Sequence, residues 1–140
     1  MDAEEKKWQE ETAQELAEEI TKHFSEFFTG VEVKNVRYVE CNDWNADVLL
    51  KGTVYFEVQK HFAYDEYDEV HWHVDFYPEY NNDKKNSYYG LYEDSIEDGL
   101  ETVMKQFKKD YKAVLDDADR ELLNEKHQML YDIYHKFNIV

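Results

Sequence analysis

The spacing of apolar residues changes twice along the chain, from the period of a helix to that of strands and back again. In the first stretch apolar side chains recur at helical spacing, which predicts an amphipathic helix. These positions are Trp8, Ala13, Leu16, Ala17, Ile20, Phe24, Phe27 and Phe28. We expect this helix to end at Gly30, because glycine readily adopts the left-handed conformation that closes many helices.

Apolar and polar residues alternate from residue 31 onwards, as in strands that have one buried face. In the stretch 31–41 the phase of the alternation slips between Val33 and Val36. This slip predicts a strand with a bulge at Asn35. Residues 42–45 contain two asparagines and an aspartate, which favour a turn.

Residues 48–62 alternate more regularly and predict a second strand. Residues 69–77 predict a third strand, which Pro78 ends because proline has no amide hydrogen to pair. The expected inward positions of these two strands are Val48, Leu50, Gly52, Val54, Phe56, Val58, Val70, Trp72, Val74 and Phe76. After a polar loop at 81–87, residues 88–92 favour a further short strand.

The last third of the chain returns to helical spacing. Asp94 or Ser95 can cap the start of a helix, and Glu97 follows Asp94 at the distance of a capping box. Neither glycine nor proline interrupts residues 100–140. One long bent helix and two packed helices both fit this pattern, and residues 116–117 are the expected break.

This order of elements predicts an α+β fold in a single domain over residues 1–140. An N-terminal helix precedes a meander of three or four antiparallel strands, and one or two C-terminal helices follow. The helices are expected to pack on one face of the sheet, which leaves the outward side chains of the strands in water.

The chain is strongly acidic, with a formal net charge of −17 from 33 acidic and 16 basic residues. Residues 63–102 alone contain twelve acidic residues and two basic ones. Such a charge repels nucleic-acid phosphates and anionic membranes, and it favours a basic protein surface as a partner. Solubility is the alternative explanation, although a surface that serves only solubility more often intersperses the two signs.

Cysteine usage and the absence of long apolar runs predict a cytoplasmic protein. Cys41 is the only cysteine and cannot form an internal disulfide, which fits a reducing compartment. We expect this side chain to be small and buried rather than a nucleophile. We also expect no secretory signal and no membrane-spanning segment. The four glycines are scattered and form no phosphate-binding loop, so no cofactor is expected.

One strand face offers candidate metal chemistry. His71, His73 and Asp75 alternate along the third predicted strand and therefore share a face. Two histidines and a carboxylate are a known metal-ligand set, so a metal-dependent enzyme is one alternative. No HExxH, CxxC or EF-hand pattern supports it. Alternating polar residues are also what a half-exposed strand requires, and we expect no bound metal.

Acidic and tyrosine residues cluster in the middle of the chain and predict a protein-binding surface. Tyrosine is enriched in protein interfaces, and carboxylates at successive helical turns lie about 6 Å apart, similar to phosphates along a nucleic-acid strand. Glu11, Glu15 and Glu18 have this spacing, as do Glu93, Glu97 and Glu101. The predicted partner-binding residues are Tyr64, Asp65, Glu66, Tyr67, Asp68, Glu69, Glu93, Asp94, Glu97 and Asp98.

In size and acidity the chain resembles phage-encoded nucleic-acid mimics, including anti-restriction and anti-CRISPR inhibitors. It is also similar to small acidic immunity proteins that neutralise nuclease toxins. These groups share no motif, so the resemblance transfers no site residue. It implies a non-enzymatic inhibitor that masks a basic, nucleic-acid-handling protein and makes no direct contact with nucleic acid. Pairing of two copies through an exposed sheet edge also stays open.

Overall fold

The computed structural model describes residues 2–52, 54–77, 88–115, 119–123, 128, 129, 131, 132 and 135. It consists of two long helices and one five-stranded sheet. Helix α1 spans Ala3–Ser25 and helix α2 spans Ile96–Leu115. Between them run β1 (Val31–Tyr38), β2 (Asp43–Leu50), β3 (Val54–His61), β4 (His71–Tyr77) and β5 (Tyr88–Glu93). Each strand pairs antiparallel with the next, which confirms the predicted α+β meander.

The strand count is five rather than three or four, because residues 48–62 form a hairpin instead of one strand. The chain reverses at Lys51 and Gly52, which both have positive φ, and Leu50 pairs with Val54. The predicted turn at 42–45 lies slightly earlier, since β2 already begins at Asp43. The bulge at Asn35 is confirmed by its φ of 56° and by a register shift at this point of the β1–β2 pair.

Helix α1 begins at a side-chain cap and ends earlier than expected. The carboxylate of Asp2 accepts a hydrogen bond from the backbone N–H of Glu5 at 2.8 Å, which satisfies one of the free amides of the first turn. The helix ends at Ser25, so the prediction that it continues to Gly30 is wrong. Gly30 is indeed left-handed, but its carbonyl accepts from Lys51 N–H and so closes the start of the sheet.

The core lies between the two helices and one face of the sheet. It contains Leu16, Ile20 and Phe24 from α1, alternate residues of β2, β3 and β4, and Leu100, Val103, Met104 and Phe107 from α2. Three predicted inward residues are exposed instead: Trp8 near the start of α1, Gly52 in the β2–β3 turn and Val70 just before β4. Trp8 nevertheless packs edge-on against Trp44 of β2, with 6.0 Å between the ring centroids.

Helix α2 begins after Ser95, whose hydroxyl accepts from the backbone N–H of Asp98 at 3.1 Å. The helix ends at Leu115, and a 3₁₀ turn follows at Arg120–Leu122, so a single helix from residue 100 to the end is wrong. Residues 128, 129, 131, 132 and 135 are again helical. The expected break at 116–117, Pro78 and the polar loop at 81–87 lie outside the described residues.

A candidate docking surface at one end of the sheet

Three connections meet at one end of the sheet. The β3–β4 loop lies at this end, where His61 pairs with His71. The β1–β2 turn lies beside it because Asp43 pairs with His61, and β5 ends here because Glu93 pairs with Trp72. We call residues 38–42, 62–70 and 92–98 the acidic end.

The acidic end contains nine acidic residues and no lysine or arginine. All ten residues predicted from the sequence to bind a partner belong to it. Tyr64 to Glu69 form the β3–β4 loop, Glu93 and Asp94 end β5, and Glu97 and Asp98 lie in the first turn of α2. The topology therefore brings together two groups that are more than 20 positions apart in the sequence.

Exposed apolar side chains concentrate at the same end. Of the eight large hydrophobic residues that are exposed in the described part of the chain, six lie there: Tyr38, Val39, Tyr64, Tyr67, Val70 and Tyr92. Tyr67 is 88% exposed and Tyr92 is 72% exposed. Tyrosine is one of the residue types that are enriched in protein-binding hot spots.

The β3–β4 loop is shaped by two of its own aspartates. Asp68 Oδ2 accepts from the backbone N–H of Tyr64 at 3.1 Å, and Asp68 Oδ1 accepts from that of Glu69 at 2.9 Å. Asp65 Oδ1 accepts from the backbone N–H of Tyr67 at 2.9 Å. These bonds hold the loop in a turn that leaves the rings of Tyr64 and Tyr67 exposed.

Three of the ten predicted residues are turned inward. Asp68 contacts His61, Glu93 accepts a hydrogen bond from Thr102 at 2.9 Å, and Glu97 contacts His23 in α1. The other seven are exposed, including all three of Glu66, Glu69 and Asp94. The expected row of Glu93, Glu97 and Glu101 is also wrong, because α2 begins only at Ile96 and Glu93 is a strand residue.

His61 is held between two carboxylates at the base of the loop. Its Nδ1 lies 2.6 Å from Asp43 Oδ1 and its Nε2 lies 2.7 Å from Asp68 Oδ2. The hydrogen bond with Asp68 and then that with Asp43 raise the pKa of His61, against the opposing effect of its burial. In turn the bonds from His61 and from Tyr64 N–H lower the pKa of Asp68. The imidazolium form of His61 therefore fastens the loop to β2 and β3.

We expect the contribution of His61 to stability to disappear at alkaline pH. A histidine whose pKa is raised by folding stabilises the protein fully at pH values below the ordinary pKa of about 6.5. This stabilisation is lost as the pH rises through the pKa of the folded state. Asp68, whose pKa is lowered by folding, stabilises the protein at pH values above its ordinary pKa. This stabilisation is lost as the pH falls through the pKa of the folded state.

The measurement compares urea unfolding of wild type and His61→Gln at pH 5.5 and pH 8.5. The urea midpoint of wild type should be higher than that of His61→Gln at pH 5.5, and the difference between the two midpoints should be smaller at pH 8.5. Leu122→Ala removes an exposed side chain that carries no charge; it serves as the control and should show no such change. If the difference between the two midpoints is equal at both pH values, the proposal that His61 is an imidazolium is contradicted.

The histidines of the outer sheet face stack instead of converging on a point. The ring centroids of His61 and His71 are 4.6 Å apart, and those of His71 and His73 are 5.2 Å apart. Tyr92, which has a positive φ at a bulge of β5, covers both His71 and His73. Burial, followed by the charge of His71, lowers the pKa of His73.

His71, His73 and Asp75 therefore do not present three ligand atoms to one ion. Among the residues that the structure describes, the group whose ligand atoms lie within 4.8 Å of one another is His23, Glu26 and Glu97. Cys41 is free and exposed at the β1–β2 turn, so the prediction that it is buried is wrong. Partial desolvation, followed by a hydrogen bond with Cys41, raises the pKa of Tyr64 to about 12.

A cavity of about 360 Å³ lies beside the acidic end, between α1 and the sheet. Its walls include Trp8, Trp44 and Phe62 together with the carboxylates of Glu15 and Glu19. Lys60 Nζ lies 2.8 Å from Glu19 Oε1 and 4.7 Å from the centre of the Phe62 ring. The cavity thus already surrounds one ammonium group with carboxylate and aromatic contacts. The sequence pattern missed it because it assigned Trp8 to the buried face.

No protein-family model matches the chain, and no curated protein or solved structure shows a significant similarity to it. In the described part of the chain, no helix combines the length and apolarity needed to cross a bilayer.

Proposed function

We propose that the protein binds a basic, nucleic-acid-handling protein through the acidic end and blocks the partner's nucleic-acid site. The observation that carries this proposal is the coincidence of two features on one surface. Nine acidic residues without a lysine or arginine occupy the same three connections as six of the eight exposed large hydrophobics of the described chain. Solubility accounts for the carboxylates alone, but exposed tyrosines reduce solubility and need a different reason.

The two kinds of residue have different roles in the proposed complex. Carboxylates at the rim, such as Glu66 and Glu69, attract a basic surface over a distance and accelerate encounter. Tyr64, Tyr67 and Tyr92 then bury aromatic area against the partner, which lengthens the lifetime of the complex. A surface evolved to hold phosphates offers the positive charge that this arrangement requires, so the acidic end occupies the place of DNA or RNA.

The cavity next to the acidic end provides a specific acceptor for a basic side chain of the partner. Glu15 is exposed at its mouth, and the indole of Trp8 lies edge-on to Trp44, with 6.0 Å between ring centroids. Because Lys60 already pairs with Glu19, a guanidinium group placed there would have to use the carboxylate of Glu15 and the aromatic faces. We propose that one arginine or lysine of the partner enters this cavity.

We also propose that the protein acts in the cytoplasm and that its role is not enzymatic. The free, exposed Cys41 fits a reducing compartment. The acidic end acts by occupation and requires no covalent step. An immunity protein against a nuclease toxin would use the same surface, and only the identity of the partner distinguishes it from a phage-type inhibitor.

The test is a reversal of charge at three exposed positions of the acidic end. Glu66→Lys, Glu69→Lys and Asp94→Lys combined are expected to slow association with the partner at least about tenfold, because encounter depends on the summed potential. Asp68 is left intact since it holds the loop. Immobilised wild type and variant capture proteins from an extract of the native host, and the protein retained by wild type alone is then purified for rate measurements.

The matched control has the same change in net charge elsewhere: Glu18→Lys, Glu32→Lys and Glu121→Lys, all at exposed positions outside the acidic end. It should retain the partner with at most a small change in rate. In a second step, wild type should compete with DNA or RNA for the purified partner. The proposal is contradicted if both triple variants lose the same amount of partner binding. It is also contradicted if the partner binds nucleic acid and this protein at the same time.

A further inference from the structure

A second group of polar residues lies away from the loop, where α1 and α2 meet. His23 is in the last turn of α1, Glu26 directly follows that helix, and Glu97 is in the first turn of α2. One ligand atom from each lies within 4.8 Å of the other two. His23 Nδ1 also contacts Glu97 Oε1 directly.

An ion pair between His23 and Glu97 explains only part of this arrangement. Glu26 adds a second carboxylate, and among the described residues its side chain has no hydrogen-bond or ion-pair partner. It also lies at the C-terminal end of α1, where the backbone carbonyls already carry partial negative charge. Two carboxylates and a helix C-terminus against one imidazole leave an excess of negative charge, which a cation would neutralise.

We propose that His23, Glu26 and Glu97 bind one divalent transition-metal ion, with Zn²⁺ as the best match. An imidazole nitrogen and two carboxylate oxygens are ligands that zinc accepts, at bond lengths of about 2.0–2.2 Å. Such bonds place the ligand atoms about 3.3 Å apart, so the side chains need to move by little more than 1 Å. The partly exposed position leaves room for water as the fourth ligand.

The site would tie the two helices together. His23 and Glu26 belong to the α1 side and Glu97 to the start of α2, so an ion bound by all three links elements that are 71 or more positions apart. A metal that binds only the folded chain raises its stability according to its concentration. Glu97 also belongs to the acidic end, but it is turned inward toward His23 and is not among the residues that the partner is proposed to contact. Failure of the metal site would therefore leave the proposed partner binding unaffected.

The experiment titrates metal-free protein with Zn²⁺ by calorimetry and with Co²⁺ by visible absorption, which reports an ordered nitrogen and oxygen ligand set. Wild type is expected to bind one ion and to gain thermal stability with added Zn²⁺. His23→Ala and Glu26→Gln should each weaken binding at least about tenfold, as expected when a ligand is lost. Glu26→Gln preserves size at an exposed position, so it separates loss of metal binding from loss of folding.

Two controls have the same types of substitution outside the site. Glu18→Gln changes an exposed glutamate of α1. His71→Ala changes the outer face of the sheet, which has a different set of two histidines and one carboxylate. Both should bind Zn²⁺ like wild type. The proposal is overturned if wild type binds no ion, if His23→Ala and Glu26→Gln bind as well as wild type, or if His71→Ala is the variant that loses binding.

Discussion

Replacement of Phe56 by alanine is expected to lower the free energy of unfolding by about 3–5 kcal/mol, the largest effect that we predict for one residue. Phe56 is 0% exposed and lies at the centre of the core. Its ring centroid is 5.2 Å from that of Phe24 in α1 and 4.7 Å from that of Phe76 in β4. Phe76 in turn contacts Phe107 of α2 at 5.3 Å. Removal of this ring leaves a cavity between the helices and the sheet, which the surrounding structure relaxes only partly to fill.

The measurement is urea unfolding of Phe56→Ala and of two comparison variants. Phe56→Leu keeps most of the apolar volume and should lose clearly less stability than the alanine variant. Leu122→Ala removes a large side chain that is 83% exposed, and it should change the free energy of unfolding by no more than about 0.5 kcal/mol. A loss below about 1 kcal/mol in Phe56→Ala would place this ring outside the core.

The loss expected for Phe56→Ala is large relative to the total free energy of unfolding of a single domain. Single domains are stable by about 5–15 kcal/mol, and the net charge of −17 adds self-repulsion to the folded state. Added salt should therefore raise the midpoint of wild type and of Phe56→Ala alike, because screening acts on the charges and not on the cavity.

Hydrophobic periodicity was sufficient to predict the fold class, but it hid one turn. Leu50 and Val54 pair across the β2–β3 turn, and both have even numbers. Because three residues connect them, the alternation of inward and outward side chains keeps its phase through the turn. A strand of 15 residues and a hairpin therefore give the same pattern in residues 48–62. Gly52 is the one local signal of a turn, and the alternation placed it as an inward strand residue, because a glycine inside a strand also fits a close backbone approach.

The ends of α1 illustrate a different limit. Apolar spacing continues past Ser25 to Phe27 and Phe28, and these residues do pack against the core or its margin. Spacing reports burial, however, and a helix ends where its backbone hydrogen bonds end. Trp8 shows that spacing does not always report burial either: it lies in the repeat and its ring contacts that of Trp44, but its side chain is 53% exposed.

The composition of the candidate surface was predictable from the sequence, but its geometry was not. Acidic and tyrosine residues are visible as clusters in the sequence. Their convergence depends on the register that places His61 beside His71 and Trp72 beside Glu93. The inward direction of Asp68 depends on its bond with His61, seven residues away across the loop, which periodicity does not encode.

The exposed tyrosines give the second large prediction. Tyr67→Ala is expected to weaken binding of the partner by at least about 2 kcal/mol, or roughly 30-fold, as is typical of an aromatic anchor at the centre of an interface. Its side chain is 88% exposed in the isolated protein, so the variant should unfold at the same urea concentration as wild type. Leu122→Ala, also a loss of an exposed apolar side chain, is the matched control and should bind like wild type.

The rate constants separate the two parts of the proposed surface. Tyr67→Ala should act mainly on dissociation and keep this effect at high salt, because buried aromatic contacts are not screened. The triple variant of Glu66, Glu69 and Asp94 should act mainly on association, with an effect that falls as ionic strength rises. If Tyr67→Ala leaves the dissociation rate unchanged while the charge variant still slows association, the tyrosines do not contact the partner, and the acidic end attracts it without providing the anchor.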